Sequence, residues 1–216
     1  MRDPGNLRGA MDDFNTRVSI DEFADVVPQD ARAALVPGIL FFIIADIATF
    51  GIFFVAFMIE RRRQISVFDG ASRSLNVEAG LLNALILMTS GMFVAFAVDA
   101  ARRGRAAEVR RWLMYGMLVG VGFGVNKAIE YGDKFSHGIG MLTNDFFMFY
   151  YVLTGAHFIH FLAGMIVLAA LWFRAAREPV HEGPLFAWIE GGALYWHMVD
   201  LLWIVIFPML YLVGRQ

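Results

Sequence analysis

His157 and His160 stand at i and i+3 in the segment GAHFIHFLAG, and His197 and Asp200 repeat that spacing in YWHMVDLLW. Residues three apart share a helix face, so each pair sets two ligating or proton-carrying groups side by side. Imidazole and carboxylate offer three chemistries here: metal or haem ligation, proton transfer, or hydrogen bonding between helices. A catalytic metal site wants three or more protein ligands with supporting partners. The chain has five histidines and no cysteine, and His137 and His181 fall in expected loops. Disulfides, zinc–cysteine sites and iron–sulfur clusters are excluded. The count favours helix-to-helix hydrogen bonding, and no metal is expected to be held by this chain.

Three other ionisable groups need a reason for being where they are. Asp46 lies well inside a long apolar run, where a carboxyl is costly. It reads equally well as a neutral acid bonded to a neighbouring helix or as a buried carboxylate that exchanges protons. Lys127 and Glu130, again at i and i+3, read as a polar pair that lowers the cost of placing either group in lipid; the alternative is a simple interfacial pair beside Tyr131. Asn83, Asp99 and Glu190 fall near the ends of runs and read as interfacial. The aromatic run FFMFYY (146–151) reads as a lipid-facing or packing surface at the membrane boundary.

These residues sit on apolar runs long enough to span a bilayer. Of 216 residues, 58% are hydrophobic and 15% aromatic, far above a soluble domain. The runs lie near 36–59, 81–101, 112–131, 146–173 and 186–213. About 20 residues per run match roughly 30 Å of hydrocarbon at 1.5 Å per residue. Lipid admits only helices or closed barrels, and runs this long exclude barrel strands. The expected fold class is therefore all-α: an integral membrane bundle of five transmembrane helices over 36–216, preceded by a polar cytoplasmic arm over 1–35. The arm has no apolar core of a secretory signal. Gly116 and Gly120 have the spacing of close helix packing. Of the 18 lysines and arginines, eleven fall on the side of the arm, which predicts the amino terminus inside and the carboxy terminus outside. The cluster Arg61, Arg62 and Arg63 runs against that bias. A net charge of −2 suggests no nucleic-acid partner.

YWHMVDLLW resembles the carboxy-terminal helix of subunit III of the haem–copper oxidases through Tyr195, Trp196, His197, Val199, Asp200 and Trp203, with Met198 in place of an aromatic residue. TGAHFIHFLAG resembles the same family's Gly-x-His-x-x-His segment through Gly155, His157, His160 and Gly164. LLNALILMTSG is similar through Leu82, Asn83, Ser90 and Gly91, and AIEY through Glu130 and Tyr131. LFFIIADIATFGIFF resembles the span bearing the family's buried carboxylate, with Asp46 where most members have Glu. The order and spacing agree over 36–213. The chain matches only the last five of the family's usual seven spans, and Lys127 stands where the family usually has an uncharged residue. Both features make it similar to the short NorE-type proteins encoded alongside bacterial nitric oxide reductases.

The resemblance implies a non-catalytic accessory subunit that supports assembly, stability or proton uptake of a respiratory haem–copper-type complex, either a terminal oxidase or a nitric oxide reductase. It implies haem and metal in a partner catalytic subunit, none in this chain, contact with membrane lipids including a possible bound phospholipid, and a place in the bacterial inner membrane. It also implies that His157, His160, His197 and Asp200 form one internal polar seam. Two other classes stand beside it: a membrane enzyme holding a cofactor through His157, His160 and His197, and a small proton transporter using Asp46 and Glu130.

Overall fold

In the computed structural model, residues 29–181 and 183–215 are described. They form six helices: α1 (Gln29–Arg63), α2 (Ile65–Ser72), α3 (Val77–Arg102), α4 (Ala106–Ser136), α5 (Asp145–Arg174) and α6 (Gly183–Phe207). A π-helical turn over Pro208–Leu212 and a 3₁₀ turn over Val213–Arg215 follow. Five helices are long and apolar enough to cross a membrane, and no strand is present among the described residues. The chain is a multi-pass membrane protein.

The helices outrun the apolar runs that announce them. α4 extends over 106–136 because helical hydrogen bonding continues through the charged residues that flank the hydrocarbon. α1 begins at Gln29, ahead of the expected boundary at 36; the rest of the expected arm, 1–28, lies outside the described residues. The side chains of Asn76 and Asn144 cap α3 and α5 by accepting the Ala79 and Phe147 N–H groups at 3.1 and 2.9 Å, satisfying donors that a helix start leaves open. Gly104 (φ 70°) and Gly138 (φ 71°) make the turns after α3 and α4, a backbone region that other residues enter at a cost.

α6 is the central helix. It packs on α1, α3 and α5 and is the most buried of the five spans, whereas α1 is the least buried. The broadest helix contact is between α3 and α4. Gly116 and Gly120 allow it: a Cβ on Gly116 would sit 3.2 Å from Val94 Cγ2, and the Ser90 hydroxyl donates to Gly116 O at 2.7 Å. The 146–151 run is a packing surface, with Phe146, Phe147 and Tyr150 buried.

Past α6, Pro208 has no N–H with which to continue the ladder, and the widened turn brings Tyr211 back into the bundle, fully buried. The arginine cluster that ran against the charge bias is used here. Arg61 donates to Asp69 Oδ1 at 2.9 and 3.2 Å and to Val213 O at 3.2 Å, and Arg73 donates to Gly214 O at 3.2 Å. α2, a short helix that no long apolar run announces, supplies Asp69 to this clasp. Arg61→Gln is expected to release the last turn, read as faster carboxypeptidase trimming; unchanged trimming would contradict the clasp. At the opposite face, Arg174 donates to Glu178 at 2.9 and 2.8 Å and holds that carboxyl below its ordinary range.

Candidate functional site

The ionisable residues singled out by the sequence gather at three separate places in the bundle. The most enclosed surrounds Lys127, which is fully buried, with Glu130 8% exposed. Lys127 Nζ donates to Glu130 Oε2, Tyr150 Oη and Tyr211 Oη, each at 3.1 Å. Tyr150 and Tyr211 both donate onward to Glu130 Oε1, at 2.7 and 2.6 Å. All three ammonium protons and both carboxylate oxygens are thereby engaged. The rings of Tyr131, Tyr150 and Trp203 lie 5.0, 4.7 and 5.3 Å from Nζ, adding cation–π attraction. The pair is thus enclosed within the bundle, because α5 and the terminal turn bring two tyrosines over it. Beside it Asn83, fully buried inside the bundle near the start of α3, meets α4: Asn126 donates to Asn83 Oδ1 at 2.8 Å and to Ala79 O at 3.0 Å.

The second cluster joins α1 to α5. Asp46 Oδ2 lies 2.9 Å from His160 Nε2, off the line of a straight hydrogen bond and with no other partner. His160 Nδ1 is 2.7 Å from Ala156 O. A carbonyl only accepts, so Nδ1 carries the proton and Nε2 faces the carboxyl. Both side chains keep some exposure, 21% for His160 and 14% for Asp46. Tyr195 donates to His160 O at 3.1 Å and Phe50 packs edge-on against the imidazole.

The third lies on α6. His197 Nδ1 is 3.6 Å from Asp200 Oδ2, and Asp200 sits where a Cβ on Gly91 would collide with it. His157, fully buried, donates instead from Nε2 to Val199 O at 3.0 Å, with its ring beside Phe123 and Trp203. The expected single seam of His157, His160, His197 and Asp200 is therefore divided: His160 turns to α1, His157 to the α6 backbone, and His197 and Asp200 to α3. The i, i+3 spacing puts residues on one face in broad terms, but each ring's own rotation settles its partner. Among the described residues no three His, Asp or Glu side chains converge as metal ligands. Tyr150, Tyr211 and Trp203, which complete the first cluster, were not singled out by spacing; the signal for them was a lysine in an apolar run, which demands several partners.

Five spans around buried polar clusters define a helical membrane bundle, and the comparisons place it more narrowly. The family described as "Cytochrome c oxidase subunit III" matches residues 28–215. The chain belongs to that family. A protein named cytochrome c oxidase subunit 3 from Thermostichus vulcanus is 25% identical over 209 residues, covering 97% of this chain and 100% of its own length. One of the same name from Synechocystis sp. is 30% identical over 177 residues, 81% of this chain and 74% of its own. One from Corynebacterium diphtheriae is 30% identical over 179 residues, 82% and 86%.

Proposed function

We propose that the chain is a non-catalytic accessory subunit of a bacterial respiratory haem–copper-type complex in the inner membrane, with its amino terminus inside, and that it steadies the catalytic subunit and supports its proton uptake. The single observation that carries this is the family match over nearly the whole chain. A terminal oxidase is the favoured partner. Shortness no longer argues for the NorE-type branch, because a relative aligned end to end with this chain bears the oxidase name. Lys127 favoured a nitric oxide reductase partner, but a charge satisfied wholly within the bundle is explained without one. The weakly packed outer helix α1 suits a partner helix or lipid.

In this reading Asp46 exchanges protons near the contact, with His160 as its neighbour. Membranes lacking this chain are expected to keep the haem spectrum of the catalytic subunit while losing sustained turnover; unchanged turnover and stability would overturn the proposal. Asp46→Asn, close in shape to a protonated carboxyl, is expected to leave assembly intact and to slow proton uptake in pH-jump measurements; unchanged uptake would remove the role from Asp46. For orientation, Arg8→Cys and Gln216→Cys are expected to label from opposite sides of sealed vesicles.

A further inference from the structure

A groove runs between α3 and α6 on the face that carries the 103–105 loop. It is a shallow groove open to the surface, about 290 Å³ in volume, lined by Asp99 and Arg102 from α3 and by Glu190, Ala193, Leu194 and His197 from α6. No residue of α4 or α5 lines it, so Asp99, Arg102, Glu190 and His197 are its charged and titratable groups. At its mouth Arg102 pairs with Glu190 at 3.0 Å, both partly exposed. Two turns further along α6 stands His197, with a side chain 45% exposed. One turn beyond is Asp200, 91% buried by side chain, its Oδ2 toward His197 Nδ1 and its Oδ1 buried with no partner.

Hydrocarbon cannot satisfy this series. A half-exposed imidazole and an unpartnered carboxyl oxygen at membrane depth each call for water or a polar neighbour. From Glu190 to Asp200 is about 15 Å along the helix axis, half of a roughly 30 Å hydrocarbon layer. Room for the carboxyl comes from Gly91, the one residue type that leaves its place empty. Beyond Asp200 the path turns apolar and offers a proton no further carrier: Leu201 on the same face is exposed but apolar, and Leu202 and Trp203 on α6 and Leu87 on α3 are buried.

We propose that this groove is a one-ended aqueous inlet that admits water and protons from the face of the 103–105 loop as far as His197 and Asp200, and no further. A proton arriving there as hydronium converts the Asp200 carboxylate to the acid: one O–H bond of hydronium breaks, leaving water, as the carboxyl O–H bond forms. Water bridges the 3.6 Å between His197 and Asp200 and reaches the free Oδ1. Because no further carrier lies beyond Asp200, the inlet holds a proton without leaking one across the membrane. The inlet is a property of this chain alone and does not depend on which catalytic subunit it joins.

The absence of cysteine makes the test direct. Single cysteines are placed at Leu194, in the groove wall, and at Leu201, two turns deeper on the same exposed face and past the inner end of the groove, in the full chain in sealed vesicles with Asp200 intact. A membrane-impermeant cationic methanethiosulfonate is added from each side in turn. A thiol in lipid loses most of its thiolate, and each unit of raised pKa removes tenfold. Leu194→Cys is therefore expected to react at least about tenfold faster than Leu201→Cys, and only from the side of the 103–105 loop. Equal, slow reaction of both, or reaction of Leu194→Cys from the opposite side, would overturn the inlet. Deuterium exchange supplies the proton readout: a carboxyl infrared band that shifts on adding deuterated water and is lost in Asp200→Asn supports the inlet, and a band that does not exchange contradicts it.

Discussion

Lys127→Met is expected to destabilise the chain by about 3–5 kcal/mol, the cost of stranding one member of a buried ion pair. Methionine fills the space but leaves Glu130 charged and 8% exposed, with only the tyrosine hydroxyls of Tyr150 and Tyr211 at Oε1 and nothing at Oε2. The double substitution Lys127→Met/Glu130→Gln is expected to recover most of that loss. The amide oxygen still accepts from both tyrosines, and no uncompensated charge remains. Unfolding in mixed micelles, followed by tryptophan fluorescence, gives both values. A single-substitution cost under about 1 kcal/mol, the range of an exposed pair, would show that water reaches the cluster. A double substitution as damaging as the single would show that the charges themselves are needed.

Gly164→Val is expected to cost about 1–3 kcal/mol through overpacking. A Cβ at Gly164 would meet Trp196 Cε3 at 2.7 Å and Cζ3 at 2.9 Å. Trp196 is fully buried against Phe161 and cannot swing aside, so α5 and α6 must separate. Gly155 in the same helix has nothing within 4 Å of the equivalent position. Gly155→Ala is therefore expected to lie within about ±0.5 kcal/mol of the parent, and the same unfolding measurement compares the two. Equal effects would mean that the α5–α6 contact is looser than these distances require.

Much of the architecture was legible because lipid imposes a simple rule: a segment that crosses must be long, apolar and helical. All five spans followed from it. The short helix α2 did not, since eight residues at the surface carry no comparable signal. Partner choice was the harder part. Lys127 and Glu130 could be paired from spacing, because i and i+3 are neighbours on any helix. Their tyrosines could not, since Tyr211 arrives from a turn distant in sequence and only after Pro208 widens the ladder. His160 and Asp46 are 2.9 Å apart yet lie on helices far apart in the chain, and no periodicity on either one points to the other. The expectation of one polar seam failed for the same reason: depth in the membrane is readable from sequence, but the direction a ring faces across a helix interface is set by packing.

The most direct test of the account is the company the chain keeps. The tagged full chain, extracted in mild detergent, is expected to bring with it a haem–copper catalytic subunit, identified by mass spectrometry and by a haem absorption band that reduces with dithionite. The same chain stripped of that partner is expected to be colourless and free of stoichiometric iron or copper. Recovery of a catalytic subunit that reduces oxygen supports the oxidase assignment, and one that reduces nitric oxide would move the chain to the reductase branch. A haem band that stays with the isolated chain and disappears in His160→Ala would contradict the accessory role altogether.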